Sequence, residues 1–164
     1  MFSGSPVVVI GGGNAGFESA AQLLAYCPTV YLLNRSDTFR ADAVTVDKLK
    51  ANPNFKLITN AIPKEIHGDK FVNGITYIDA TTNTDIKLDV SGIFVEIGQI
   101  PATDFAGDIV ERDAINKIII DPWTQETRTK GIWAAGDCTN ILYHQNNIAA
   151  GDAVRALEDI YSTL

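Results

Sequence analysis

The stretch PVVVIGGGNAGFESAAQLLAY, Pro6 to Tyr26, decides the fold. It opens on a short Val-rich run, Pro6 to Ile10, that ends in glycine, the pattern of a strand buried in a parallel sheet. From Asn14 the period changes. Over residues 14–26, Phe17, Ala20, Ala21, Leu24 and Ala25 share one helical face. Thr29 to Leu33 (TVYLL) reads as a second strand and completes a unit the size of one parallel βαβ crossover. Where strand meets helix, Gly11-Gly12-Gly13-Asn14-Ala15-Gly16 satisfies G-x-G-x-x-G. In that pattern Gly11 permits the tight turn, Gly13 lets a pyrophosphate approach the backbone, and Gly16 lets helix and strand pack closely. Free N–H groups at the helix start, at the positive end of its dipole, face the phosphates. Between a strand and an amphipathic helix the motif predicts dinucleotide binding, with Gly11, Gly13, Asn14, Ala15 and Gly16 at the phosphates. The alternative is that the glycines serve only a tight strand-to-helix turn. Glu18 reads as a carboxylate in the first helical turn, favoured there by the dipole whatever the ligand.

About 20 residues beyond such a loop, a carboxylate normally accepts from the 2′-hydroxyl of NAD. Here the second strand ends Leu33-Asn34-Arg35-Ser36-Asp37, and the acid is absent. Arg35 stands just past the strand and Arg40 follows in Thr38-Phe39-Arg40. Two guanidinium groups suit a 2′-phosphate through paired, charge-assisted hydrogen bonds. The nucleotide predicted is NADP(H). Two alternatives stay open: Asp37 could serve as the acid of an NADH site, and both arginines could be solvated surface charges.

The rest of the chain extends the α/β pattern. Asp42 to Ala51 reads as a second helix and Phe55 to Ile58 as a third strand. Segments near 61–67, 71–79 and 85–90 alternate loosely and are separated by His67-Gly68-Asp69 and Thr82-Asn83-Thr84. This is hairpin chemistry and predicts an antiparallel meander covering one side of the parallel unit. Gly92 to Ile97 (GIFVEI) returns to a buried strand, closed by Gly98-Gln99-Ile100-Pro101. Strands are expected at 117–121 and 132–135, and a helix from about Asn147 to Tyr161.

Composition excludes several classes. With 46% apolar and 20% charged residues the chain is an ordinary globular protein and not a disordered tail. A net charge of −7 argues against nucleic acid or an anionic membrane surface as partner. No apolar run approaches the roughly 18 residues needed to span a bilayer, and no secretory signal opens the chain. Cys27 and Cys138 fit neither a disulfide framework nor a zinc site. A cytoplasmic protein is expected.

The combination of motifs is specific. Gly11 to Gly16 followed by Phe17-Glu18-Ser19-Ala20-Ala21, then Asn34-Arg35-Ser36-Asp37-Thr38-Phe39-Arg40-Ala41, resembles the nucleotide domain of low-molecular-weight thioredoxin reductases. Gly92-Ile93-Phe94-Val95-Glu96-Ile97-Gly98 and Gly131-Ile132-Trp133-Ala134-Ala135-Gly136-Asp137-Cys138-Thr139 look equally like that group and its sister, the flavoprotein component of alkyl hydroperoxide reductase. The resemblance runs from about Pro6 to Tyr161. It implies that Asp137, in A-A-G-D, hydrogen-bonds the ribityl chain of FAD, and that Gln145 lies against the flavin; Gly98 and Gly136 complete the implied set. From the residues alone, Asp137 is a carboxylate at the C-terminal end of a strand, where open α/β sheets bind ligands, or else a turn or capping aspartate. His144 and Asn146 depart from the family's basic residue and Ala beside that Gln. His144 reads either as a proton donor or as a plain loop histidine.

The resemblance also implies parts that these 164 residues do not hold: an earlier G-x-G-x-x-G for FAD and a redox C-x-x-C pair. It implies a nucleotide domain at 5–97 followed by the C-terminal segment of an FAD domain at 98–164, as a cut piece, a truncated gene or half of a split protein. The fold expected is a Rossmann-like doubly wound parallel sheet with an antiparallel meander, plus part of a second, FAD-binding Rossmann-like domain. The implied reaction passes hydride from NAD(P)H to FAD and then to a disulfide of a thioredoxin-like or peroxiredoxin-type partner, with the isolated chain inactive alone. The other reading is a non-catalytic NAD(P)H-binding module that docks to a partner chain. A short-chain dehydrogenase lacks support, because no Tyr-x-x-x-Lys pair is present. Unpaired edges at 117–120 and 132–135 predict a homodimer, or else local disorder in 100–130.

Overall fold

The computed structural model describes all 164 residues. They form two compact units, Met1–Gly98 and Gln99–Leu164. In the first, β1 (Val7–Ile10), α1 (Asn14–Leu23), β2 (Val30–Leu33), α2 (Ala43–Lys50) and β3 (Phe55–Ile58) alternate, then β4 (Ala61–Gly68), β5 (Val72–Asp79) and β6 (Thr84–Leu88) precede β7 (Gly92–Val95). The parallel sheet has the order β3-β2-β1-β7, and the meander is a separate antiparallel sheet, β4-β5-β6. Val7 to Ile10 pair on one side with Val30 to Leu33 and on the other with Gly92 to Val95.

Alternation along these short strands separates two layers of core. Val7 and Val9 of β1, with Val30 and Leu32 of β2, face Phe17 and Ala20 of α1 and Val46 and Leu49 of α2. Val8, Ile10 and Leu33 face the opposite way, onto Ala61, Ile75, Tyr77 and Val90. Both helices therefore cover one face of the parallel sheet and the meander covers the other. Covered on both faces, the central strand β1 is apolar without interruption.

Two local expectations for α1 differ from the structure. Its buried face is Gly16, Phe17 and Ala20, with Leu23 and Leu24 half-buried, whereas Ala21 and Ala25 are exposed. Gly16 sits against the Gly11 carbonyl and sets the helix's rotation, turning Ala21 and Ala25 outward. The last turn tightens, as Ala25 N–H bonds the Gln22 carbonyl and Tyr26 N–H that of Leu23. Glu18 is the second difference. With α1 starting at Asn14, Glu18 is exposed in the second turn, beyond the reach of the terminal dipole.

The second unit is mostly irregular. It has a short 3₁₀ stretch, Asp104–Ile109, and one long helix, α3 (Asn146–Thr163). The strands expected at 117–121 and 132–135 are reduced to isolated bridges, Ile118 with Arg112 and Thr139, Ile120 with Thr127, and Glu126 with Trp133. Left-handed residues at Asn116, Gln125, Gly131 and Gly136 turn the chain before any ladder extends. Val110, Ile118 and Ile120 are the buried hydrophobic cluster here, and α3 buries only Asp152 and Ala156. No helix is long and apolar enough to cross a membrane.

Candidate cofactor-binding sites

In the first unit the glycine loop leads from β1 into α1. Gly13 is the N-cap in extended geometry, and no side chain caps the helix. The N–H groups of Asn14, Ala15 and Gly16 consequently have no partner on the chain. A Cβ at Gly11 would overlap the Glu96 carbonyl, and one at Gly16 would overlap the Gly11 carbonyl, so both glycines are forced by backbone approach. A Cβ at Gly13 would meet nothing within 4 Å, so the open side of the loop lies there. These features fit a pyrophosphate: free donors at a helix start with unobstructed backbone in front.

The middle glycine carries a contact the motif did not disclose. A Cβ at Gly12 would overlap the side-chain oxygen of Asn34, which is buried behind the loop. The Asn34 amide nitrogen donates to the carbonyls of Ser36, at 2.9 Å, and Thr38, at 2.8 Å. The Arg40 N–H donates to the Gly12 carbonyl at 3.1 Å, and the Asp42 N–H to Asn14 Oδ1 at 2.9 Å. Residues 34–42 are thus fastened to the glycine loop by two hydrogen bonds, with the Asn34 side chain packed against Gly12. The Asn14 side chain serves that fastening, leaving its backbone N–H for a ligand. Arg35 and Arg40 are exposed, and neither guanidinium pairs with any group of the chain. Asp37 is also exposed. The sequence signal for the latch is an asparagine at the position of the expected acid, facing the middle glycine of three.

At the other edge of the loop, Glu96 follows β7 directly, and its Oε1 accepts from Ser19 Oγ at 2.8 Å. Gly98 ends this unit with a φ of +108° and open space on its Cβ side.

In the second unit Asp137 lines a cavity of about 600 Å³ with Gln99, Ile100, Pro101, Ala102, Ile115, Lys117, Cys138 and His144. Gly136, at φ +81°, lies against Ala149 of α3, where a Cβ would meet the Ala149 methyl at 3.2 Å, and Asp137 follows it in the chain. Lys117 Nζ lies 2.7 Å from His144 Nε2, and His144 Nδ1 lies 3.6 Å from Asp137 Oδ1. A charged Lys117 donates, so Nε2 accepts and the imidazole proton sits on Nδ1, toward the Asp137 carboxylate. His144 is therefore built into a polar row and is more than a free loop histidine. Gln145 is the exposed N-cap of α3, makes no side-chain capping bond, and does not line the cavity. An apolar wall with a few convergent polar groups is the lining of a small-molecule or cofactor site. The cysteines are not a redox pair: both are free, and burial pushes the thiols of Cys27 and Cys138 up from their ordinary value.

The chain is similar to several known proteins. An alkyl hydroperoxide reductase polypeptide of Escherichia coli is 41% identical over 157 residues, covering 95% of this chain and 30% of its own length. An NADH dehydrogenase of Bacillus subtilis is 40% identical over 156 residues, again covering 95% of this chain and 30% of its own. The solved thioredoxin reductase of Lactococcus lactis superposes with a TM-score of 0.86 at 28% identity, covering 98% of this chain and 53% of the other. The chain thus spans about half, or less, of the length of these proteins. The profile of the pyridine nucleotide-disulphide oxidoreductases matches residues 3–153 and so takes in the glycine loop, the 34–42 latch and the Asp137 cavity together. By that match, and by the glycine loop on its parallel sheet, the chain belongs to the pyridine nucleotide-disulphide oxidoreductase family.

Proposed function

We propose that this chain is the nicotinamide-nucleotide-binding portion of a flavoprotein disulfide reductase, with NADP(H) held by Met1–Gly98 and Gln99–Leu164 supplying C-terminal residues of an FAD site. The observation that carries the reading is the loop itself: three unpartnered N–H groups at the start of α1, with two unpaired arginines on the segment latched beside it. The N–H groups of Asn14, Ala15 and Gly16 hold the pyrophosphate, Gly13 leaves the approach open, and Gly11, whose N–H bonds the Leu33 carbonyl, makes the turn. Arg35 and Arg40 hold the adenosine 2′-phosphate. In the second unit Asp137, with His144 beside it, accepts from the hydroxyls of the flavin side chain; Gly136 turns the chain just before it, and Gln145 follows His144 at the start of α3. The chemistry supplied by the bound cofactors is hydride donation by a reduced nicotinamide and onward reduction, through flavin, of a disulfide on a thioredoxin-like or peroxiredoxin-type partner. The chain's own part is to bind and orient. It holds no C-x-x-C, so on its own it binds nucleotide without turning over a disulfide. A homodimer in the cytoplasm completes the reading, supported by the exposed apolar residues of the second unit and by two free thiols.

Titration of the 164-residue chain tests this. NADPH is expected to bind more tightly than NADH, the 2′-phosphate contact contributing about 1–3 kcal/mol. The protein is expected to purify colourless and to bind added FAD weakly, and a stoichiometric flavin spectrum on purification would contradict that. Equal affinity for NADPH and NADH would favour the second reading of the nucleotide, NADH, which similarity to the NADH dehydrogenase of Bacillus subtilis supports. A non-catalytic docking module would show the same nucleotide binding but stay inactive when the missing flavin and dithiol parts are supplied in trans.

A further inference from the structure

We propose that Glu96 sets the oxidation-state preference of the nucleotide site: its carboxylate, tethered by Ser19, stands at the nicotinamide end and favours the cationic, oxidised ring over the neutral, reduced one. The inference rests on the nucleotide reading above. In the parallel sheet the chain runs outward from β1 to β2 and β3, then returns to place β7 on the other side of β1. The order reverses between β1 and β7, and ligands of open α/β sheets lie in the crevice beyond the carboxyl ends of such a pair. Glu96 is the first residue beyond that end of β7. Its N–H bonds the Ile10 carbonyl at 2.8 Å, and its own carbonyl is the atom a Cβ at Gly11 would strike. It therefore borders the glycine loop on the side opposite β2.

Direction along the crevice follows from charge. Arg35 and Arg40 stand beyond β2 and draw the phosphorylated adenosine there, and the free N–H groups of α1 take the pyrophosphate at the centre. The remaining half of a dinucleotide extends toward β7. On that side the half-buried Glu96 gives one oxygen to Ser19 at 2.8 Å, while its other oxygen has no partner and no cation of the chain pairs with it. A carboxylate so placed disfavours phosphate and accepts from, or pairs with, a group that is positive. An oxidised nicotinamide carries that charge and a reduced one does not.

The test uses the full chain and its Glu96→Gln variant, which keeps an oxygen for Ser19 and removes only the charge. Dissociation constants are measured for NADP⁺, NADPH and adenosine 2′,5′-diphosphate, the last lacking a nicotinamide. The expected result is a loss of NADP⁺ affinity relative to NADPH of about fivefold, the equivalent of ~1 kcal/mol for an opposite-charge pair in a watery setting. Affinity for adenosine 2′,5′-diphosphate is expected to stay unchanged. Ser19→Ala, which frees the carboxylate, is expected to shift the same ratio by less. An unchanged ratio with both nucleotides binding would overturn the role of Glu96 and leave the nucleotide reading standing, as would an equal effect on adenosine 2′,5′-diphosphate. Failure of the unmutated chain to bind any of the three would overturn both.

Discussion

Asn34 shows how one side chain settles what its position in the motif leaves open. It stands where an NAD site would carry an acid, but its amide donates to two carbonyls, those of Ser36 and Thr38, from a buried position. A carboxylate cannot donate. Asn34→Asp is therefore expected to destabilise the fold by about 1–3 kcal/mol, because it sets an anion against unpaired carbonyls. Urea unfolding reads this, and a variant as stable as the parent would show that the latch is not held by these bonds. Arg35 has no such commitment. Arg35→Ala is expected to erase most of the preference for NADPH over NADH while leaving the urea midpoint unchanged, since the guanidinium is exposed and unpaired. Persistence of the preference in the variant would move the 2′-phosphate contact elsewhere.

Among the elements, α1 and the meander hold the parallel sheet from opposite faces. Phe17 is fully buried and stands edge-on to Phe39, with ring centroids 5.5 Å apart. Phe17→Ala is expected to cost about 3–5 kcal/mol in chemical denaturation, and to weaken nucleotide binding with it, because the same helix presents the N–H groups. A stable variant that still binds would mean that α1 is held mainly by Gly16 and Ala20. The β5–β6 turn depends on Asp79, whose carboxyl is held below its ordinary value of 3.8 chiefly by the Thr81 N–H. A lowered folded value means that the bond's contribution is present above the unfolded value and is lost as pH falls through the folded one. The window therefore lies below pH 3.8, and Asp79→Asn is expected to flatten the acid limb of a stability–pH profile there. An unaltered acid limb would remove Asp79 from the account.

For the molecule as a whole, the two units differ in how much apolar surface they cover. Gln99–Leu164 leaves Ile100, Phe105, Trp123, Leu142, Leu157 and Tyr161 exposed, and α3 buries only two of its residues. Apolar surface on this scale is normally covered by something. Self-association to a two-fold dimer is expected, with the net charge of −7 limiting growth beyond defined oligomers. Light scattering across a concentration series, combined with hydrogen exchange over 99–164, measures it. A strict monomer with that region well protected would show that the unit is closed by its own contacts.

The parallel unit was legible from residues 6 to 33 because strand, glycine loop and helix each have a local cause: β-branched apolar runs, Cβ-free turns and a period of 3.6. The meander was legible for the same reason, its turns being written in His67-Gly68-Asp69 and Thr82-Asn83-Thr84. Arg35 and Arg40 were visible as charges just past a strand whose end carries Asn34 in place of the expected acid. Other features required the folded chain. Which alanines of α1 face the core depends on how Gly16 sits on the Gly11 carbonyl, a contact that periodicity leaves undetermined by a fraction of a turn. The segments at 117–121 and 132–135 have strand-like composition, but ladders need long-range partners, and left-handed turns cut these off after single bridges. Sequence determined the elements of Met1–Gly98 and the glycine loop between β1 and α1. Only tertiary structure decided the fastening of residues 34–42 to the glycine loop, the Ser19–Glu96 pair and the Lys117–His144 contact, because each joins groups far apart in the chain whose meeting is set by packing.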